Sequence, residues 1–367
     1  MEAQGRNQPR LFWGNTVRQT NRYDLLRFVF AAIVFGCHVI VLPGFGISPE
    51  MEYFFLETLG RVAIQGFFVI SGALVLGSLE RSSSVASYAA KRTRRLYPAY
   101  FVIVMTCAIA ALILVPEARD DLATTAKYIG YNLVFLNFLQ PELPGVFEGQ
   151  RFTAVNGALW TVKIEVMFYM VLPILVWMLN RLGKFRFVLL GLIYIASEVW
   201  RIGLEHYGMA NGSGMIVQLS RQLPGQMSFF VAGMLLWEFR DIARKRWAIV
   251  ALIGVVGLAA SYLPALEPIR ALTLACLIAA IALSPGPELN AARFGDFSYG
   301  MYGAHFPVTQ TVIALGLFQT SMALGYVVSA IATMIAAILL WNFVEKPFLH
   351  KGNWYLRKSK EDEQAAG

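Results

Sequence analysis

Two ionisable residues in one apolar stretch have the types and the spacing to do chemistry. Arg27 and His38 lie eleven positions apart within residues 23–40, which are otherwise mostly apolar. Eleven residues make about three turns of an α-helix, so both side chains lie on nearly the same face, roughly 16 Å apart along the axis. Ionisable groups inside a membrane are costly and usually functional. The spacing therefore predicts a site along this face, with a cation near one end and an imidazole deeper in.

The composition indicates which environment surrounds that helix. The chain has 367 residues, of which 57% are hydrophobic and 15% are charged, whereas soluble domains carry about 25% charged residues. The apolar residues are gathered into stretches of about 20, the length that crosses ~30 Å of hydrocarbon. Basic residues accumulate in the cytoplasmic loops of membrane proteins. The formal charge of +8 therefore does not indicate a nucleic-acid partner, and we expect a membrane protein in contact with lipid.

The cysteines and the N-terminal residues give further limits. Cys37, Cys107 and Cys276 each lie in an apolar stretch, and none forms a Cys-x-x-Cys pair. This pattern predicts neither a disulfide framework nor a zinc site, and we expect no metal. Residues 1–22 are polar and lack an apolar core followed by small residues, so they do not resemble a cleavable signal peptide.

The apolar segments predict an all-α, polytopic membrane protein with about ten transmembrane helices. The predicted spans are residues 24–42, 60–79, 97–115, 158–180, 186–202, 222–239, 247–264, 268–284, 294–317 and 321–343. A flexible basic arm, residues 1–22, precedes the membrane domain, residues 23–349, and a basic tail, residues 350–367, follows it. The longest connection, residues 116–157, holds an apolar patch at 128–139 that is short for a crossing, which indicates a re-entrant or interfacial helix.

The distribution of Lys and Arg predicts the orientation. With the N-terminus inside, 22 of the 31 Lys and Arg residues fall on the side of the two termini and 7 fall on the opposite side. Because basic residues mark cytoplasmic loops, this asymmetry favours ten spans with both termini cytoplasmic. No internal repeat of the kind that marks many transporters is visible.

This topology predicts the depth of each unusual polar residue. Arg27 and the basic cluster at residues 92–95 lie near the cytoplasmic surface, whereas His38 lies ~21 Å further in, at helical rise. Glu165, on the fourth span, lies ~12 Å below the outer surface, at a depth similar to that of His38. His305 falls near mid-membrane. Cations at the cytoplasmic end would hold an anionic donor, while a histidine and a carboxylate deeper in would handle a proton.

Six short motifs occur in order along residues 21–349. They are Arg27-x10-His38; Phe67 to Gly72; Arg92, Arg95, Tyr97 and Pro98; Trp160, Thr161, Glu165, Phe168 and Tyr169; Ser298, Tyr299, Tyr302 and His305; and Glu345 to Phe348. Each motif alone is weak, but together and in this order they are specific. The chain resembles the acyltransferase-3 family, integral membrane acyltransferases that modify bacterial surface and exported carbohydrates.

The resemblance implies an enzyme of the bacterial inner membrane that uses an acyl-CoA donor, most often acetyl-CoA, with succinyl-CoA as another possibility. The donor binds from the cytoplasmic side, and the acceptor is typically a sugar hydroxyl of a polysaccharide or lipid-linked oligosaccharide at the outer face. His38 is then the catalytic base or acyl relay, and Glu165 assists it or binds the acceptor. The remaining expected site residues are Arg27, Arg92, Arg94, Arg95, Tyr97 and Ser71 for the donor and Trp160, Tyr169, His305 and Tyr302 for the acceptor.

Other interpretations stay open from the sequence alone. Arg27 could extend to the cytoplasmic surface as a membrane anchor, and the cluster at residues 92–95 could be a topology signal or a contact with anionic lipid. The buried histidine and carboxylate could instead serve a transporter, or the chain could be a scaffold subunit of a polysaccharide-producing assembly. The acceptor could be an antibiotic, a lipid or a peptidoglycan unit. Consumption of acyl-CoA distinguishes a transferase from a carrier.

Overall fold

The computed structural model describes residues 22–287, 289 and 295–349. In this part of the chain every regular element is helical, which confirms the predicted all-α class. The predicted arm up to residue 21 and the predicted tail at 350–367 lie outside the described residues. The helices are α1 Tyr23–Val41, α2 Pro49–Tyr53, α3 Arg61–Glu80, α4 Val85–Leu114, α5 Pro116–Asp120, α6 Leu122–Leu133, α7 Leu159–Leu182, α8 Arg186–Ala210, α9 Gly214–Ser220, α10 Leu223–Glu238, α11 Arg240–Lys245, α12 Trp247–Ala260, α13 Arg270–Leu283, α14 Ser298–Ala314, α15 Leu317–Thr320, α16 Met322–Leu339 and α17 Lys346–Phe348.

Every predicted span contains a helix of the structure. Within the described residues, six segments are long and apolar enough to cross a membrane: Tyr23–Val41, Pro49–Glu80, Val85–Leu114, Leu159–Ala210, Pro264–Leu283 and Met322–Phe348. The fourth of these holds both α7 and α8, which are joined by a 3-10 turn at Gly183–Phe185 where Gly183 has a φ of +50°. The chain is therefore an all-helical, multi-pass membrane protein.

The structure differs from the predicted loops at two places. The basic segment between the second and third predicted spans lies outside both spans, but α4 begins at Val85 and the segment is helical. Ser84 explains this start, because its hydroxyl accepts a hydrogen bond from Ser87 N at 3.1 Å, as N-capping residues do. In the longest connection α6 begins earlier than the apolar patch, because the Asp121 side chain accepts from Thr124 N at 3.0 Å.

Two compact units make up the described structure. The companion unit comprises residues 68–88 and 168–286, and the site unit comprises residues 22–67, 89–167 and the described residues from 287 onwards. Helices α3, α4 and α7 each contribute residues to both units.

In the companion unit, α3 and α10 approach until their backbones touch. A Cβ atom at Gly72 would collide with the carbonyl oxygen of Phe230, and one at Gly233 would collide with the carbonyl oxygen of Val69. The ring of Phe168 stacks on Phe230 with centroids 4.3 Å apart. Small residues are typical of close helix contacts in membranes, and this contact explains why glycine stands at both positions.

In the site unit, α1 packs along α14. Arg27 near the start of α1 contacts Asp296 just before α14, and His38 near the end of α1 contacts His305 within α14. Both contacts follow the same chain direction, so the two helices run parallel. Two polar contacts therefore link α1 and α14, one at the level of Arg27 and one at the level of His38.

Candidate active site

The centre of the site is a contact between two histidines. Nδ1 of His38 lies 2.8 Å from Nε2 of His305. Their ring centroids are 5.0 Å apart and the ring planes are inclined by 18°, so the two rings lie end to end across this hydrogen bond. His305 is fully buried, whereas His38 is partly exposed. Of the two members of this histidine dyad, His38 is therefore the one that keeps some exposed surface.

The hydrogen bonds determine which ring nitrogens carry protons. Nδ1 of His305 lies 2.7 Å from the carbonyl oxygen of Tyr302 and 3.2 Å from that of Met301. Because a carbonyl oxygen only accepts, Nδ1 of His305 carries the proton, and Nε2 of the neutral ring accepts from Nδ1–H of His38. Nε2 of His38 is then left with its lone pair, which is the form required of a general base.

A second polar group lies beside the dyad. The hydroxyl of Tyr302 is 2.5 Å from Oγ1 of Thr161, and Thr161 donates to the carbonyl of Ala158 at 3.1 Å. Glu165 follows Thr161 by one turn of α7, on the same face, and is close enough to Tyr302 to interact electrostatically with its phenol. The predicted assisting carboxylate therefore lies on the Tyr302 side, and the hydrogen-bond partner of the His38 ring is His305.

A proline in α14 helps to hold the backbone around His305. Pro307 has no N–H, so the carbonyl of Gly303 four residues earlier lacks its helical donor. Asn156 replaces that donor, with Nδ2 at 2.8 Å from the Gly303 oxygen. Phe306 places its ring against His38 in an edge-to-face arrangement, with centroids 5.4 Å apart. The surroundings thus restrain both histidines of the dyad.

The same two helices meet in an ion-pair network about three turns from the histidines. Nη1 of Arg27 lies 3.0 Å from Oδ2 of Asp296, and Arg95 also contacts that oxygen. Arg95 reaches Glu345 as well, with Nη1 2.9 Å from Oε2. The side chains of Asp296 and Glu345 are 2% and 1% exposed. Two guanidinium groups and two carboxylates cancel formally, so the fully ionised network is neutral.

Asp296 has a second role in the helix that carries the buried histidine. Its Oδ1 accepts from the backbone N–H of Ser298 at 3.2 Å and from the Ser298 hydroxyl, so it holds the first residue of α14. Asp296 is buried against the guanidinium groups of Arg27 and Arg95, and these two positive charges favour its ionised form. The ionised Asp296 therefore joins α14 to the arginine of α1.

A match to a family model identifies the class of protein that carries this arrangement. A family model described as an acyltransferase domain matches residues 20–342. The chain belongs to the acyltransferase-3 family. This confirms the resemblance inferred from the motifs, and the protein is an acyltransferase. The match includes both histidines of the dyad and, within the ion-pair network, Arg27, Arg95 and Asp296.

Characterised relatives of this acyltransferase are similar over most of its length. An O-acetyl transferase of Shigella phage Sf6 is 29% identical over an alignment of 357 residues, and the match covers 92% of this chain and 98% of the relative. Nodulation protein 10 of Rhizobium leguminosarum is 26% identical over an alignment of 354 residues that covers 89% of this chain and 92% of the relative. The peptidoglycan O-acetyltransferase OatA of Listeria monocytogenes is 25% identical over an alignment of 337 residues that covers 80% of this chain and 52% of the relative. No solved structure matches the acyltransferase.

The other residues predicted to bind the donor lie on α4 of the acyltransferase, apart from Ser71. Arg94 is exposed, and Arg92 is partly buried one turn before Arg95. The hydroxyl of Tyr97 donates to the carbonyl of Leu133 at 3.4 Å, which connects α4 to the end of α6. The predicted arginines therefore differ in setting: two pair with buried carboxylates, and Arg94 faces outwards.

The last three predicted residues, Ser71, Tyr169 and Trp160, are divided between the two units. Ser71 and Tyr169 belong to the companion unit. The Ser71 hydroxyl is buried without a hydrogen-bond partner among the described residues, and the Tyr169 carbonyl accepts from the Tyr88 hydroxyl at 3.2 Å. Trp160 belongs to the site unit, half-buried in the first turn of α7 beside Thr161.

Sequence reasoning missed both carboxylates of the ion-pair network. Glu345 lies within the closing motif but was assigned no role, and Asp296 lies two residues before the motif that begins at Ser298. A signal was present, because an arginine inside an apolar span requires a counter-ion. Asp296 is an acidic residue at the start of another predicted span, on the same predicted side as Arg27.

Proposed function

We propose that this acyltransferase transfers an acetyl group from acetyl-CoA to a hydroxyl group of an exported or lipid-linked carbohydrate. The observation that carries the proposal is the lone pair assigned to Nε2 of His38, which the hydrogen bond to His305 keeps available. Two relatives named as O-acetyltransferases support acetyl transfer to oxygen, and the name of one specifies peptidoglycan. Succinyl-CoA is the alternative donor to be tested.

In the proposed reaction His38 acts as the general base. Its Nε2 removes the proton of the acceptor hydroxyl while the hydroxyl oxygen attacks the thioester carbonyl. The C–S bond then breaks, and the leaving thiolate recovers the proton from Nε2 of His38 as the free thiol. The products are the acetyl ester and CoA, and His38 returns to its starting state.

We place the donor's phosphates at the end of α1 that carries the arginines. Arginine binds phosphate through planar, bidentate hydrogen bonds. Arg27 and Arg95 already pair with Asp296 and Glu345, so the phosphates would reach them only in competition with those carboxylates. The exposed Arg94 is therefore assigned the first contact with the donor. The thioester, at the other end of the donor, would extend along α1 towards His38.

We assign ten crossings of the bacterial inner membrane, with both termini in the cytoplasm. The asymmetry of Lys and Arg supports this orientation. The parallel directions of α1 and α14 also support it, because an odd number of crossings must separate two parallel spans, and seven predicted spans lie between them. Acetyl-CoA would then enter from the cytoplasm and the carbohydrate from the outer side.

The acceptor is assigned to the space between the dyad and the start of α7. Glu165 and Tyr302 offer polar groups for sugar hydroxyls, and Trp160 offers an aromatic ring beside Thr161. Sugars bind through a mixture of this kind, in which a ring packs against a sugar face and a few polar groups determine its orientation.

The test measures thiol release from acetyl-CoA by the purified protein in lipid, with a panel of saccharide acceptors. We expect acceptor-dependent release from the wild type and a loss of 100-fold or more, on the order of a general base's contribution, in His38→Gln. The control is His206→Gln, since His206 is an exposed residue of α8, and it should match the wild type. Equal release by wild type and His38→Gln would remove His38 from the mechanism.

If no acceptor supports release, binding of acetyl-CoA separates the remaining possibilities. We expect the wild type to bind acetyl-CoA and Arg94→Gln to bind it more weakly. The same measurement with succinyl-CoA tests the alternative donor. A wild type that binds neither donor, and that moves a carbohydrate across a vesicle membrane without thiol release, would be a transporter.

A further inference from the structure

The hydrogen bonds of His305 go beyond what is needed to orient His38. Its Nδ1–H points to two carbonyl oxygens of its own helix, those of Met301 and Tyr302. Its Nε2 is the atom that accepts from His38. The ring therefore has an acceptor nitrogen facing the proposed base, and its opposite N–H already lies against two oxygens that would stabilise a positive charge.

We propose that His305 is a positioning residue that also takes up the proton removed from the acceptor, acting through His38. This inference rests on the proposed function and assigns a step within it. His305 is thus given a role different from the acceptor contact that the sequence suggested, since its buried ring faces His38 and its own helix backbone.

The step balances in protons and charge. When Nε2 of His38 gains the acceptor's proton, the N–H bond at Nδ1 of His38 breaks and a new N–H bond forms at Nε2 of His305. His38 is again neutral, and the imidazolium is His305, with Nε2–H donating to His38 and Nδ1–H donating to the carbonyls. When the thiolate leaves, both transfers reverse and the thiolate becomes the free thiol. No other reactant is consumed.

The surroundings of the dyad favour this sharing of charge. In the described part of the chain neither imidazole ring contacts a carboxylate. The titratable side chain nearest to each histidine of the dyad is the other histidine. Tyr302 lies close to His305, with ring centroids 5.8 Å apart, but its hydroxyl bonds to Thr161 and not to either imidazole. The usual partner of a catalytic histidine is a carboxylate, and here the second histidine occupies that place.

Two substitutions separate positioning from proton uptake. In His305→Gln the side-chain carbonyl can still accept from Nδ1–H of His38, but it cannot take a proton at neutral pH. In His305→Phe the ring volume remains and the acceptor is lost. His206→Gln again serves as the matched control. Each variant is first checked for a single, monodisperse species in lipid or detergent.

The first measurement is the rate at which diethyl pyrocarbonate, an electrophile that acylates unprotonated imidazole nitrogen, labels His38, followed by mass spectrometry. It needs no acceptor sugar. We expect His305→Gln to label His38 within twofold of the wild-type rate, because the tautomer is kept, and His305→Phe to label it several-fold more slowly. If both variants label alike at the wild-type rate, His305 does not set the tautomer and the proposal is overturned.

The second measurement is acceptor-dependent thiol release. We expect His305→Gln to lower kcat on the order of 100-fold, within the range for a lost proton-transfer group, with KM for acetyl-CoA within twofold of wild type. If His305→Gln keeps wild-type kcat, His305 only positions His38 and proton uptake is refuted. If the wild type itself releases no thiol with any acceptor, the donor-binding measurement decides the proposed function, while the labelling result still supports or refutes the hydrogen bond between the histidines.

Discussion

The substitution Asp296→Asn tests whether one carboxylate holds α1 and α14 together. Asp296 accepts from Arg27 of α1 and Arg95 of α4, and its other oxygen accepts from Ser298, the first residue of α14. Asparagine keeps the shape and an oxygen that can accept from Ser298 but removes the charge. The variant therefore leaves two guanidinium groups facing a neutral amide, while the contact with Ser298 is largely retained.

The expected loss of stability follows from burial. Breaking a buried ion pair by removing one partner costs about 3–5 kcal/mol. Arg27 and Arg95 retain 19% and 13% exposure, so part of their charge stays hydrated and the lower value, about 3 kcal/mol, applies. The entropy of unfolding is ~2.1 cal/mol/K per residue, or about 0.8 kcal/mol/K for a chain of this length, which gives a decrease in Tm of about 4 °C.

The assay is thermal unfolding in one detergent, followed by the loss of the monodisperse species. The matched control is Glu52→Gln, because Glu52 pairs with Arg151 where both side chains are considerably exposed, at 27% and 36%. Such pairs contribute about 0–1 kcal/mol, so the control should lose no more than about 1 °C. Equal losses in Asp296→Asn and Glu52→Gln would refute the assignment of Asp296 as a buried structural charge.

A double-mutant cycle makes the test specific to the Arg27 contact. We expect Arg27→Gln combined with Asp296→Asn to lose less stability than the sum of the single variants, by on the order of 1–2 kcal/mol. The combined variant no longer buries an unpaired guanidinium on α1. Strict additivity would mean that Arg27 and Asp296 do not stabilise each other, and the join between α1 and α14 would need another explanation.

Three further substitutions test the donor end, the tyrosine and the helix contact of the companion unit. Arg94→Gln should raise KM for acetyl-CoA several-fold and weaken its dependence on salt, with kcat unchanged, because a surface charge acts mainly through screened attraction; an unchanged KM would argue against this assignment. Tyr302→Phe loses the hydrogen bond to Thr161 and should lower the free energy of unfolding by about 1 kcal/mol; an unchanged Tm would show that this hydrogen bond does not contribute to stability. Gly72→Ala forces a methyl group against a backbone oxygen and should cost about 1–3 kcal/mol, and an unchanged Tm would mean that the two helices can separate without cost.

The helices could be predicted from the sequence because membrane spans are long and uniformly apolar. Helix α1 differs from the predicted span 24–42 by a shift of one residue. Helix α3, residues 61–80, differs from the predicted span 60–79 by the same amount. The start of α4 was missed because its first turns are polar, and hydropathy carries no information about a helix outside the apolar core. Local capping by Ser84 was the signal that could have found it.

The candidate site was predictable only in its residue types. The motifs brought His38 and His305 into one functional set, but they do not say that the rings form a hydrogen bond, since that depends on how two parallel helices separated by more than 250 residues are aligned. The ion-pair network shows the same limit. Arg27 was assigned to the donor because it is a cation, and the position of its counter-ion became visible only when α14 lay beside α1.

The two polar levels of the α1–α14 pair place charge differently, and this difference explains why a histidine is the partner of His38. A carboxylate beside His38 would carry a buried negative charge in every resting molecule, and a buried charge without a counter-charge costs several kcal/mol. At the level of Arg27, Asp296 and Glu345 each pair with an arginine, so the ionised groups of that network balance. At the level of His38 both rings are neutral at rest, and in the proposed reaction a charge arises only while a proton is in transit. The dyad would then spread that charge over two rings and two backbone carbonyls, which would give the proposed base a low cost within the membrane between turnovers.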